Sequence, residues 1–130
     1  MDARKLALQC RELAEEKKAE NVVILDLRQL SSVTDYFVVA TGTSEPHLRA
    51  IVEAITDGLR EDHGLHPRAA DGGLKTNWVA LDYFDVIVHV MRAEAREHYD
   101  LESLWGDAPR VRRRARPARL VNTPPRPPPA

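Results

Sequence analysis

Apolar residues recur along this chain with two periods, and the switches between them divide it into elements. In residues 2–20, Leu6, Cys10, Leu13 and Ala14 follow one another at spacings of four, three and one, so they share one face of a predicted helix. Asn21 is the expected stop, because Asn tolerates the left-handed conformation that ends helices. Residues 22–27, VVILDL, form a near-continuous β-branched run and predict a strand buried on both faces. Ser31 and Ser32 mark a turn, and residues 35–41 read as a second strand ended by Gly42. Ser44 then opens a helix in which Leu48, Ile51, Val52, Ile55 and Leu59 keep the 3.6 period until Gly64. Residues 66–70 read as a short strand and Asp71-Gly72-Gly73 as a turn. Strands at 77–82 and 85–91 follow, and the short connection between them predicts a hairpin. Residues 93–105 have a helical pattern broken near Tyr99, and Gly106 and Pro109 end the folded part.

Helices interleaved with strands in this order predict an α+β fold. The expectation is a single domain with a mixed sheet of about five strands and helices packed on it. Apolar residues make up 43% of the 130, enough for one core. Nothing approaches the roughly 18 apolar residues that a membrane span needs. The first twenty residues are too acidic for a leader, and a single cysteine, Cys10, excludes a disulfide framework. A cytoplasmic protein is expected.

The overall charge of −1 hides two unlike parts. Residues 1–106 carry 12 Lys and Arg against 19 Asp and Glu, whereas residues 107–130 carry seven Arg and one Asp. Seven of the nine prolines also lie after residue 106. The expected organisation is therefore an acidic domain, 1–108, followed by a basic Pro/Arg-rich tail, 109–130, unable to bury enough apolar surface to fold. An acidic body is ill suited to gripping a phosphate backbone. The tail arginines suit a contact with RNA, although the tail lacks the interleaved aromatics that stack bases.

The aromatic residues concentrate in one segment. Both tryptophans and two of the three tyrosines fall between Trp78 and Trp105, around the acidic turn Asp82-Tyr83-Phe84-Asp85. Two carboxylates across a tight turn suit a cation, yet Asp also favours turns simply because its side chain bonds nearby amides. Bulky rings at such a turn cannot all point inward, which favours a binding role. Gly42-Thr43-Ser44 before a helix suits either a phosphate or a plain N-cap. His63 and His66 lack a third metal ligand, and His89 on the strand VIVHVM reads as a core or sheet-face histidine. Cys10, on an apolar helix face, reads as a small hydrophobe. No nucleophile–base constellation can be assembled, and no cofactor is expected.

Four motifs together carry a resemblance. LDLRQLSSVTDYFVVATGTS, then HLRAI, then WVALDYFDVIVHVM, then REHYDLESLWGDAP resemble the ribosomal silencing factor, or iojap-like, family in order and spacing over about residues 3–110. The resemblance implies a nucleotidyltransferase-like fold without catalysis and a homodimer when free. It implies docking on ribosomal protein fourteen of the large subunit, which blocks joining of the subunits. The implied contact residues are Trp78, Leu81, Asp82, Tyr83 and Asp85, and Tyr83, Phe84 and Trp78 would be the apolar anchors. Two positions depart from the family pattern. Pro46 stands where an Arg is usual, and Phe84 where a small residue is frequent. The competing readings are a metal-dependent nucleotidyltransferase using Gly42, Ser44, Asp82 and Asp85, and a dimer that only scaffolds other proteins.

Overall fold

Asp2 starts the first helix, its carboxylate accepting the Lys5 amide at 2.8 Å. In the computed structural model, which describes residues 2–73, 77–99 and 109–111, helix α1 runs Ala3–Glu16. It ends earlier than predicted. Lys18 takes the left-handed conformation (φ 61°) and the Ala19 amide bonds back to the Ala14 carbonyl. Asn21 is also left-handed (φ 48°), but it lies inside strand β1 (Glu20–Asp26), where the register with its neighbour slips between Glu20 and Val23. The predicted stop signal is thus a bulge in a strand and not a helix cap.

Strand β2 (Tyr36–Gly42) follows, then helix α2 (Glu45–His63) with Ser44 as its N-cap. Gly64 ends α2 at φ 65°, and the Leu65 amide reaches back to the Leu59 carbonyl, a Schellman-type stop. Strands β3 (Ala69–Gly73), β4 (Trp78–Asp82) and β5 (Val86–Arg92) then lead into helix α3 (Ala93–Tyr99). Asp71, Gly72 and Gly73 do not form the predicted turn. They are paired residues of β3, opposite Ala80, Val79 and Trp78. The β4–β5 hairpin is as expected, while the continuation of the last helix to residue 105 lies outside the described residues.

The five strands make one mixed sheet in the order β1-β2-β5-β4-β3. Only β2 and β5 run parallel, and this central pair is held by a continuous register from Tyr36 opposite Val86 to Gly42 opposite Arg92. Helices α1 and α2 cover one face. Their stripes, Leu6, Ala7, Cys10 and Ala14 with Leu48, Ile51, Ile55 and Leu59, meet Ile24, Val38, Ala40, Val88, Val90 and Leu81 in the main core. The two helices pack closely because Gly58 has no side chain where the Leu13 methyls lie. On the opposite face α3 covers only one end, where Ala95 packs on Val39 and Met91, and the Arg96 guanidinium donates to the Thr41 hydroxyl at 2.8 Å.

Strand β1 is an edge strand, buried on both faces only around Ile24 and Leu25. Its outer backbone is met by residues that sequence composition assigns to the tail. The Asp26 amide donates to the Pro109 carbonyl at 2.7 Å, and the Val111 amide to the Ile24 carbonyl at 2.9 Å. Val111 itself is buried in the main core. The chain therefore closes its own sheet edge, which removes a row of free amides and carbonyls.

Candidate functional site

The β4–β5 turn is built by Asp82. Its carboxylate accepts the Phe84 amide at 2.8 Å and pairs through its other oxygen with the Arg68 guanidinium at 3.1 Å. The Asp85 amide bonds to the Tyr83 carbonyl at 3.1 Å across Phe84, whose φ is 81°. An i to i+2 bond around a positive φ is the rare, strained form of the γ-turn. A phenylalanine there stands 62% exposed, with the Arg68 guanidinium 4.1 Å from its ring centre. Such a strained bulky residue is a pointer to function, because its conformation costs about 1–2 kcal/mol that a glycine would not incur. The Asp85 carbonyl accepts the amides of Asp35 and Tyr36, which pins the turn to the start of β2. The Asp85 side chain is exposed and makes no ion pair with a described residue.

Not every residue of the predicted contact set faces out. Leu81 points into the helix-covered core and is 2% exposed. Tyr83 is 8% exposed in the same core, its hydroxyl without a hydrogen-bond partner. Burial holds the Tyr83 phenol above its ordinary range and pushes the Cys10 thiol up to about 12, so both stay neutral. The expectation of Leu81 and Tyr83 as surface side chains is thereby corrected: both pack inside the protomer. Alternation in β4 sends odd and even positions to opposite faces, and the turn directs Tyr83 back under the sheet. Asp82 and Asp85 remain accessible, as does Phe84.

Trp78 belongs to the other face of the sheet, half-buried beside His89 and Phe37. Its indole N–H donates to His89 Nδ1 at 3.0 Å, and the Phe37 ring meets the imidazole edge-on at 4.5 Å. Gly73 sits opposite Trp78 and Ala80 opposite His89, so small residues leave room for the indole on the sheet. Because Nδ1 accepts, the neutral ring carries its proton on Nε2, which is buried without a partner. Burial lowers the His89 pKa to about 4. The unfolded chain, with an ordinary histidine near 6.5, therefore binds the extra proton first. Stability from this group is complete above about pH 6.5 and falls as pH drops toward 4, by roughly 3 kcal/mol in all. Denaturation of wild type and His89→Gln at pH 7 and pH 4 is expected to show the larger acid loss in wild type.

The residues considered for nucleotide transfer do not meet. Asp85 adjoins the first residues of β2, whereas Gly42 is the last, and a strand of this length separates its ends by roughly 20 Å. The helix start beyond Gly42 is occupied by its own side chains. The Ser44 hydroxyl accepts the His47 amide, and the Thr43 amide donates to His47 Nδ1 at 2.9 Å. His47 Nε2 donates in turn to the Lys17 carbonyl at 2.7 Å, tying α2 to the end of α1. His63 bonds to Gln9, and no group of three metal-binding side chains exists among the described residues.

Sequence reading missed Arg68 and Phe37. Arg68 precedes β3 and reaches the turn only through the β3–β4 pairing, which no local pattern announces. Phe37 was legible in principle, because it alternates with Val38 and shares a face with His89 on the adjacent strand.

The fold is a small α+β domain with a shaped, partly apolar surface at its β4–β5 turn. Comparison with known proteins gives its family. The family model described as "Ribosomal silencing factor during starvation" matches residues 1–127. The ribosomal silencing factor of Bacillus subtilis is 38% identical over 95 residues, covering 73% of this chain and 80% of that protein. A crystal structure of a protein from Chromobacterium violaceum has a TM-score of 0.77 at 32% identity, covering 82% of this chain and 88% of that one. A mouse protein named for mitochondrial assembly of the large ribosomal subunit is 30% identical over 98 residues, covering 72% of this chain and 42% of that protein. The chain belongs to the ribosomal silencing factor family. Family membership makes it a ribosome-associated regulator of translation.

Proposed function

We propose that this protein docks through its β4–β5 turn on ribosomal protein fourteen of the large subunit and blocks joining of the small subunit. The observation that carries this reading is Phe84, an exposed ring held at φ 81° between the carboxylates of Asp82 and Asp85. An aromatic anchor flanked by carboxylates suits a basic partner, and complementary charge speeds encounter and fixes register. Trp78 supplies a second apolar element on the adjoining sheet face. The mouse relative, named for its link to the large subunit, supports the choice of subunit. The site needs no cofactor and acts by occupancy, without chemistry.

On this reading the protein works in the cytoplasm and is a homodimer when free. Among the described residues no helix is long and apolar enough to cross a membrane. Beyond the short run along β1, the arginines outside the described residues add a contact with ribosomal RNA. A sucrose gradient of mixed subunits tests the central claim. Adding the protein is expected to deplete the joined particle and to leave the protein with the large subunit. An unchanged joined peak, with the protein at the top of the gradient, would overturn it.

A further inference from the structure

Three large apolar side chains are exposed among the described residues: Leu30 at 43%, Val33 at 69% and Phe84 at 62%. All three lie at the same end of the sheet. Leu30 and Val33 belong to the β1–β2 connection, and Phe84 to the β4–β5 turn. The two connections are joined directly, since the amides of Asp35 and Tyr36 both donate to the Asp85 carbonyl, at 2.9 and 3.0 Å.

The β1–β2 connection is a shaped loop. The Leu27 amide bonds to the Asp35 carbonyl and closes it. The amides of Leu30 and Ser31 bond to the Leu27 carbonyl, and the Val33 amide to the Ser31 hydroxyl. Thr34 is buried beneath it. Leu30 and Val33 are therefore presented on a backbone that is already ordered, which lowers the entropy lost on binding.

Charge selects the partner. Arg28 and Arg68 are both engaged. Arg28 grips Asp26 through two nitrogens at 2.7 and 2.9 Å, and Arg68 pairs with Asp82. Asp85 makes no ion pair with a described residue, and Asp35, joined to it through the backbone, adds a second carboxylate whose charge also acts on Arg28. Apolar side chains beside the exposed, unpaired Asp85 carboxylate fit a positively charged protein surface that carries an apolar spot of its own. A phosphate backbone would meet those carboxylates unfavourably. A second copy of this end would set like charges against each other.

We infer that the docking surface extends from the turn onto the β1–β2 connection, so that Leu30 and Val33 contact the same basic protein partner as Phe84. This rests on the function proposed above. The test is cosedimentation of the full chain with purified large ribosomal subunits, for wild type, Phe84→Ala, the double variant Leu30→Ser/Val33→Ser, and Asp85→Lys. Thermal melting and sedimentation equilibrium of each free protein accompany it.

The double variant is expected to melt as wild type does and to bind at least tenfold more weakly, and Asp85→Lys is expected to weaken binding as well. Wild-type binding by the double variant, alongside weak binding by Phe84→Ala, overturns the extension and leaves the turn as the docking site. Stronger binding by Asp85→Lys identifies RNA as the partner and also overturns it. A double variant that changes oligomeric state yet binds subunits normally makes the patch a self-association surface, again against the inference. Failure of wild type to sediment with subunits removes the proposed function and this inference together.

Discussion

Phe84→Gly is expected to lose docking on the large subunit while folding as well as the wild type. The two consequences separate because the ring and the backbone of Phe84 do different things. The backbone is held at φ 81°, where a side chain is strained by about 1–2 kcal/mol and glycine is not. Against that relief stand the lost contact with Arg68, worth about 0.5–1 kcal/mol at an exposed site, and the greater freedom of glycine in the unfolded chain, about 0.4–1 kcal/mol. The terms nearly cancel, so the denaturation midpoint is expected to stay close to that of wild type. Docking has no such compensation. Truncating an aromatic anchor typically costs about 2 kcal/mol or more, a loss of roughly thirtyfold or greater. Gradient binding curves beside urea denaturation check both halves. A variant that binds normally shows that the ring is not an anchor.

Tyr83 is expected to behave in the opposite way. Its ring fills the core between the sheet and α1, so Tyr83→Ala is expected to destabilise the protein by about 3–5 kcal/mol. A domain of this size has few multiples of that to spare, and weakened binding by this variant would report unfolding. Tyr83→Phe discriminates. It keeps the buried ring and removes a hydroxyl that has no hydrogen-bond partner, so it is expected to be neutral or to stabilise by about 1 kcal/mol. Subunit binding by Tyr83→Phe is expected to equal that of wild type. A tenfold loss of binding with an unchanged melting temperature would return Tyr83 to the contact surface.

The neighbouring residues Tyr83 and Phe84 show what local pattern can and cannot reveal. The acidic aromatic turn between two apolar strands was legible, as was its character as a hairpin. Which ring turns inward was not. That choice depends on the hydrogen bond from the Phe84 amide to Asp82, and on the core under the turn, where Cys10 of α1 lies near the Tyr83 phenol. Leu81 illustrates the same limit. It was placed in the contact set through family resemblance, but the pleat sends it to the helix side.

The sequence alone determined the α+β class, the two long helices with Ser44 and Gly64 at the ends of the second, the central strands and the acidic charge of the body. These follow from period, capping chemistry and composition, which act between residues close in the chain. Only the tertiary structure decided that Asn21 is a bulge, that Asp71 to Gly73 are paired in a strand, and that Arg68 and Asp35 stand beside the β4–β5 turn. Those outcomes come from strand pairing, where the register of one strand on another sets each side chain's neighbours and no local pattern within either strand encodes the match.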